Sequence, residues 1–365
     1  MMQRIAIDAR ESGTSTGRYV DKLIEYLYLL KPDFEIIILT KTHRLDFFKK
    51  IAPNFTVVEA QHKEFTFDEQ LGFKKQLNAL KLDLVHFAMV QQPVFYRGKV
   101  VTTMHDLTGT RFKNPSKNPA VYMIKQIVYK WVNKKAARKS VVVITPSQFV
   151  KDDVVKFTHI NPRKVIVTHE AADKIMEPSE VLLPLEKKPF IMYVGRPMPH
   201  KNLERLVKAF ALIKQTHPDL HLVLAGKMDA NYEGLQQSVE KQKISDVIFT
   251  DFVTDSELRW LYEHAKAYVF PSLSEGFGLP GLEAMVQGCP VVSSNATCLP
   301  EVYKDGAVYF DPLNIEDMAE KISSVIDDPK LAGQLVIKGS LVVKNYSWQK
   351  TAERTLEVYR HILKG

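Results

Sequence analysis

Cysteine is scarce: only Cys289 and Cys298 occur among 365 residues. That excludes a disulfide scaffold and a four-thiolate zinc site, and it fits a reducing compartment. No apolar run approaches the ~18 residues a bilayer-spanning helix requires. The opening Met1-Met2-Gln3-Arg4-Ile5-Ala6-Ile7-Asp8 meets an acid too early for a secretory leader. The Gly13–Gly17 loop lacks the Gly-x-Gly-x-x-Gly spacing of a dinucleotide fingerprint, and a Walker loop is missing. So is any Asp-x-Asp pair, the commonest pattern for holding a nucleotide-bound divalent ion. Zinc-finger spacing, Arg/Gly tracts and RNA-binding aromatic motifs do not occur either, which argues against nucleic acid as a partner. What remains is ordinary in bulk, with 45% hydrophobic and 25% charged residues and length enough for two domains. A soluble cytoplasmic protein is expected.

The net charge of +8 is concentrated in the N-terminal half. After Asp106 no acid appears until Asp152, while Arg111, Lys113, Lys117, Lys125, Lys130, Lys134, Lys135, Arg138, Lys139 and Lys151 do. Tyr122-Met123-Ile124, Ile127-Val128-Tyr129 and Trp131-Val132 recur there at roughly helical spacing. Two readings stand. A basic helix over about 119–139 rests on an anionic membrane surface, or it packs on the core and its solvated face happens to be basic.

Short β-rich runs alternate with amphipathic stretches along the whole chain, which predicts parallel α/β sheets. Strand candidates in the first half are Arg4–Asp8, Glu35–Leu39, Leu84–Phe87, Val100–Met104, Val141–Thr145 and Val165–Thr168, with helices over Arg18–Leu30 and Asp68–Leu80. Ser147 is a candidate N-cap for a helix over Gln148–Phe157. A polar, proline-containing stretch over 173–189 interrupts the alternation. It then restarts with Phe190–Val194, Leu222–Ala225, Val247–Phe249, Ala267–Pro271, Pro290–Ser293 and Val308–Phe310, and Thr254-Asp255-Ser256-Glu257 reads as a capping box. The expectation is two Rossmann-like doubly wound domains facing across a cleft: residues 1–175, then 176–346, with a terminal segment over 347–365.

In such sheets ligands bind beyond the carboxyl ends of strands, so residues just after strands are informative. Gly195-Arg196-Pro197-Met198-Pro199-His200-Lys201-Asn202 follows one strand and precedes a stripe of Leu203, Leu206, Val207 and Phe210. A glycine and two cations at a strand-to-helix turn suit a phosphate-bearing ligand, Arg196 as a fork and Lys201 as a point charge; the alternative is a surface loop. Ser274-Glu275-Gly276-Phe277-Gly278-Leu279-Pro280-Gly281-Leu282-Glu283 follows another strand. Its glycines let backbone N–H groups face an anion, and its two carboxylates lie far enough apart to touch different parts of one elongated ligand. Glu283 could instead merely compensate the helix dipole. His105-Asp106 and the loop Gly13-Thr14-Ser15-Thr16-Gly17 also follow strands, although a structural histidine is an equal reading of the first.

Glu275-x7-Glu283 around Glu-Gly-Phe-Gly-Leu-Pro, Gly195-Arg196-x4-Lys201-Asn202, His105-Asp106 and Gly13–Tyr19, in this order along the whole chain, resemble the family 4 retaining glycosyltransferases. The segment 270–301 is the most specific, and the match around Tyr193–Asn202 is nearest the mannosyltransferase members. The resemblance implies the GT-B fold, a sugar-nucleotide donor with GDP-mannose expected, and a glycan or lipid-linked acceptor. Under it, Arg196 and Lys201 clamp the diphosphate, with Gly195 in their turn. Glu275 meets the transferred sugar, Gly276, Phe277, Gly278 and Leu279 supply backbone donors, and Glu283 takes the ribose. Val253 holds the base through its backbone, His105 faces the sugar, and Thr16 and Gly17 close over the diphosphate. It also implies that no metal or other cofactor takes part, that no side chain acts as nucleophile, and that the C-terminal segment packs back on the first domain. One departure is Ser15, where relatives often carry glycine. Rival readings are a UDP-glucose, UDP-galactose or UDP-N-acetylglucosamine transferase, a non-catalytic sugar-nucleotide-binding protein, and an NAD-dependent oxidoreductase, whose fingerprint the first loop, Gly13–Gly17, does not match.

Overall fold

A computed structural model describes residues 2–14, 16–112 and 119–364. The chain forms two compact units. One runs from the N-terminal strand to Thr110, resumes up to Glu170, and takes back the chain from Ser347; the other is Ala171–Tyr346 together with Arg111 and Phe112.

The first unit is built on a parallel sheet of seven strands: β1 (Arg4–Asp8), β2 (Glu35–Thr40), β3 (Thr56–Glu59), β4 (Leu84–Phe87), β5 (Val100–Thr103), β6 (Val142–Thr145) and β7 (Val165–Val167). Their spatial order is β3-β2-β1-β4-β5-β6-β7. The runs Ile36-Ile37-Ile38-Leu39 and Leu84-Val85-His86-Phe87 are buried end to end, as parallel strands covered on both faces must be. The second unit has β8 (Phe190–Val194), β9 (His221–Ala225), β10 (Val247–Phe249), β11 (Ala267–Phe270), β12 (Val291–Ser294) and β13 (Ala307–Phe310), in the order β10-β9-β8-β11-β12-β13. Both sheets therefore run outward from a first strand, return, and continue on its other side. The reversal opens a crevice beyond the carboxyl ends of β1 and β4 in one sheet and of β8 and β11 in the other.

Local signals place the helices. Ser147 caps Gln148–Thr158 by accepting from Val150 N at 3.2 Å, and the Thr254/Glu257 capping box opens Asp255–His264. Leu203, Leu206, Val207 and Phe210 are buried on one side of Leu203–Ile213. The helix Trp348–Lys364 buries Trp348, Thr351, Ala352, Thr355, Leu356, Tyr359 and Ile362 in the first unit. There Tyr359 Oη lies 2.6 Å from His86 Nδ1, and Thr351 Oγ1 donates to His169 O at 2.6 Å.

Three local differences from the sequence reading stand out. The edge strand β3 was not anticipated: its Thr-Val-Val-Glu run is short, and its two end residues are exposed. The predicted helix over Asp68–Leu80 opens as a π-helical turn, Glu69–Phe73, before continuing as Lys74–Ala79. Among the described side chains of the basic helix Pro119–Lys139, Val132, Asn133, Ala136 and Ala137 are buried, and Gln126 and Tyr129 reach Gly109 and Phe65. Met123, Ile124, Ile127, Val128 and Trp131 are exposed, so the core-packed alternative fails for that face.

Candidate functional site

The crevice of the second sheet is framed by the two segments that follow β8 and β11. Gly195 leaves β8 with φ of +140°, and a Cβ there would lie 2.9 Å from Tyr193 Oη. Its amide donates to Ala225 O at 2.9 Å and its carbonyl accepts from Tyr232 Oη at 2.8 Å, so the turn that launches Arg196 is pinned on both sides. The Arg196 side chain is 71% exposed, with one long contact of 3.5 Å to Asp229. A 3₁₀ turn over Pro199–Lys201 ends at Asn202, in the left-handed region at φ +62°. The buried Asn202 amide donates to Pro271 O at 3.0 Å and Pro312 O at 2.8 Å, tying this loop to the ends of β11 and β13. That geometry sets Lys201 Nζ 2.6 Å from Glu275 Oε1 and 5.5 Å over the Phe270 ring. Leu273 N completes the join by donating to His200 O at 2.7 Å.

Glu275 is held from its backbone: its amide donates to Thr297 Oγ1 at 3.1 Å, and Cys298 Sγ donates to its carbonyl at 3.4 Å. Gly278 then turns at φ +89° to start Leu279–Val286, and no side chain caps that helix. A Cβ on Gly278 would come within 2.5 Å of Tyr303 Oη, which itself donates to the Gly278 carbonyl. In the first turn of that helix Pro280 has no N–H, and Gly281 N donates to Gly278 O at 3.2 Å. Phe277 is buried edge-on against Tyr346 at 5.3 Å. Gly276 is buried, Glu283 is half-buried on the helix, and Val253 is half-buried in the loop after β10. The structure thus brings Lys201 and Glu275 into contact.

The remaining predicted residues belong to the first unit. Gly17 is the buried N-cap of Arg18–Leu29; its amide donates to Thr14 O at 3.0 Å, and a Cβ there would collide with the Glu11 carbonyl. Thr16 is exposed, with its hydroxyl 3.1 Å from that of Thr14. Ser15, Lys113 and Lys117 lie outside the described residues. His105 follows β5 with both ring nitrogens engaged: Nδ1 is 2.8 Å from Glu170 Oε1, and Nε2 is 3.0 Å from Ala88 O. Tyr19 meets the ring edge-on at 4.7 Å. Both ring nitrogens of His105 therefore have partners within the first unit.

Two family descriptions cover this chain almost end to end: "Glycosyltransferase Family 4" matches residues 16–174 and "Glycosyl transferases group 1" matches 176–342. The chain is 30% identical over 275 residues to the O-antigen chain mannosyltransferase B of Escherichia coli, covering 72% of this chain and 70% of that protein. The chain belongs to glycosyltransferase family 4. A second member, the O-antigen chain mannosyltransferase RfbU of Salmonella typhimurium, is 27% identical over 335 residues, 86% of this chain and 90% of its own length. Among solved structures, sucrose-phosphate synthase from Thermosynechococcus elongatus superposes with a TM-score of 0.79 at 19% identity, covering 99% of both chains. The fold of this glycosyltransferase is GT-B, with two Rossmann-like parallel-sheet units.

Several contacts of the site had no local signature. Asn202 belongs to the motif read from the sequence, but its joining of two strand ends does not show there. Tyr303, 25 residues beyond Gly278, accounts for that glycine through its hydroxyl. Asp229 caps Ala230–Lys241, accepting from Asn231 N at 3.0 Å and Tyr232 N at 3.2 Å, and also faces Arg196. Glu170 could have been suspected only from its place shortly after a strand. Among the described residues no group of three His, Cys, Asp or Glu comes together as a candidate metal site.

Proposed function

We propose that this glycosyltransferase moves a mannosyl residue from GDP-mannose, with retention of configuration, onto a glycan or lipid-linked acceptor. The observation that carries the reading is the Lys201–Glu275 pair at 2.6 Å beside an uncapped helix start, with Arg196 exposed at the same crevice. Breaking a sugar–phosphate bond develops positive charge at the anomeric carbon and negative charge on the diphosphate, so stabilising the leaving group is the main demand. Arg196 and Lys201 meet it with fixed charge, and the helix start adds aligned N–H dipoles. Glu275 is placed to hold the sugar's hydroxyls, and Lys201 keeps its carboxylate oriented. The acceptor attacks from the face the diphosphate leaves, and a donor phosphate oxygen takes its proton. No metal ion is required, and no side chain is glycosylated. The likeness to the two O-antigen chain mannosyltransferases supports mannose.

Thermal-shift measurements against GDP-mannose, UDP-glucose, UDP-galactose and UDP-N-acetylglucosamine test the donor. A ligand at about 100 times its Kd adds roughly 2.7 kcal/mol to the stability of the state that binds it. GDP-mannose is expected to raise the melting temperature, and a rise confined to a UDP-sugar overturns the donor assignment. Linkage analysis of the product by NMR is expected to show the α-anomer. Inversion, turnover abolished by chelator and restored by manganese, or a glycosyl adduct on Glu275 in mass spectrometry each overturns the mechanism. Donor bound but transferred to no acceptor favours the non-catalytic reading.

The basic helix supports a site of action on an anionic membrane surface. Among the described residues no helix is long and apolar enough to cross a membrane. Met123, Ile124, Ile127, Val128 and Trp131 instead form one exposed stripe at helical spacing, with Lys125, Lys130 and Lys135 exposed among them. Phe95, also exposed, packs at 6.1 Å on Trp131 and widens it. Apolar contact with cations alongside is the pattern of an interfacial helix. Liposome co-sedimentation is expected to rise with anionic lipid content and to fall for Ile127→Asp; sedimentation indifferent to anionic lipid removes the idea.

A further inference from the structure

We propose that Glu170 is a positioning residue that holds His105 as an imidazolium, so that the first unit presents a fixed positive charge after β5. The argument starts from what each partner can do. Nδ1 of His105 faces a carboxylate oxygen at 2.8 Å, and Nε2 faces the Ala88 carbonyl oxygen at 3.0 Å. Neither oxygen has a proton to give when Glu170 is ionised. A neutral imidazole carries one N–H, so it satisfies one of these bonds and turns a lone pair toward the other oxygen. Satisfying both requires one additional proton on the His105–Glu170 pair. That proton sits on the ring, because the Ala88 carbonyl and the Asp106 carboxylate both stabilise positive charge there.

His86 supplies an internal control in the same unit. Its nitrogens face two hydroxyls, Tyr359 Oη at 2.6 Å and Thr103 Oγ1 at 2.8 Å. A hydroxyl can donate or accept, so a neutral ring satisfies both bonds. Burial, with the nearby His105 adding to it, pushes His86 down to about 3. His86 is therefore neutral and adds no charge of its own next to His105. The other group against the ring is Tyr19, from the helix Arg18–Leu29, whose hydroxyl is 3.2 Å from Thr103 Oγ1 and whose titration burial raises out of range. Burial alone would lower His105, but the hydrogen bond to Glu170 and its charge outweigh it, with Ala88 and Asp106 adding, and the net direction is upward.

The protonation follows from these contacts alone; its consequence for turnover rests on the transferase reading. Side-chain ¹⁵N NMR of the full chain tests the first part. His105 is expected to show two protonated ring nitrogens at neutral pH, where an ordinary imidazole with pKa about 6.5 has largely lost one. In Glu170→Gln the amide can donate to an unprotonated Nδ1, so the neutral ring becomes satisfiable and the His105 midpoint is expected to fall by about one to three pH units. The alkaline limb of the kcat profile is expected to move to lower pH with it. A wild-type His105 with one bare nitrogen at pH 7 overturns the proposal, as does an unmoved midpoint in the folded variant. If Glu170→Gln does not fold, the wild-type spectrum decides. A doubly protonated His105 in a chain that transfers no sugar upholds the clasp and overturns the transferase reading instead.

Discussion

Both sheets place an arginine two residues beyond their first strand, and the two residues live differently. Arg10, after β1, is 2% exposed and fully engaged. It forks Asp8 at 2.9 and 2.8 Å, reaches Glu69 at 3.0 Å and the His62 carbonyl at 2.9 Å, and lies 4.0 Å over the Phe73 ring. Arg196, after β8, is 71% exposed and has one contact to Asp229 at 3.5 Å. The same side chain at matching points of two similar sheets thus serves opposite ends. A guanidinium whose donors are consumed by internal acceptors holds a loop together, whereas one left at the rim turns most of its donors to solvent. Position after the first strand therefore does not decide function; the surrounding acceptors do.

The largest effect is expected from Arg10→Ala, which strands two buried carboxylates. Breaking such a network costs about 3–5 kcal/mol, and calorimetry should show the first unit's transition falling by on the order of 10 °C. Arg196→Ala should instead leave the stability within about 0.5 kcal/mol of the parent. It and Lys201→Ala should each lower kcat/KM by roughly 10²–10³, as removal of one charge-stabilising donor does elsewhere. An Arg196→Ala protein that unfolds early, or an Arg10→Ala protein that melts normally, would break the contrast. Gly278→Ala should cost about 1–3 kcal/mol, visible in the second unit's transition, because alanine is strained at φ +89° and meets the Tyr303 hydroxyl. The smallest effect concerns acid. His86 is neutral when folded and takes a proton when unfolded between its depressed value near 3 and the ordinary 6.5. In that window the unfolded chain binds more protons, so stability falls as pH falls, by about 1–2 kcal/mol between pH 6.5 and 5. Melting curves against pH should show that slope in the first unit and lose it in His86→Asn.

The two doubly wound sheets are legible because parallel strands buried on both faces read as unbroken apolar runs, as in Ile36–Leu39 and Leu222–Ala225. β3 escapes because an edge strand needs no such run. At the second crevice, the motif residues stand out because glycines and charges follow strands directly, and the Lys201–Glu275 contact could be anticipated only as proximity. What could not be read is partnership across long separations. Nothing near Arg10 announces Glu69, nothing near His105 announces Glu170, and nothing near Gly278 announces Tyr303. The exposure of Met123–Trp131 was equally hidden, since helical periodicity states that a face is apolar and is silent on whether anything covers it.

The return of Trp348–Lys364 to the first unit reverses the order in which the molecule can be finished during synthesis. A ribosome that has released Tyr346 has delivered the whole of the later unit, while the earlier one still exposes the grooves that Trp348 and Tyr359 will fill and leaves His86 without its phenol partner. The N-terminal half, though first to emerge, is the last to close.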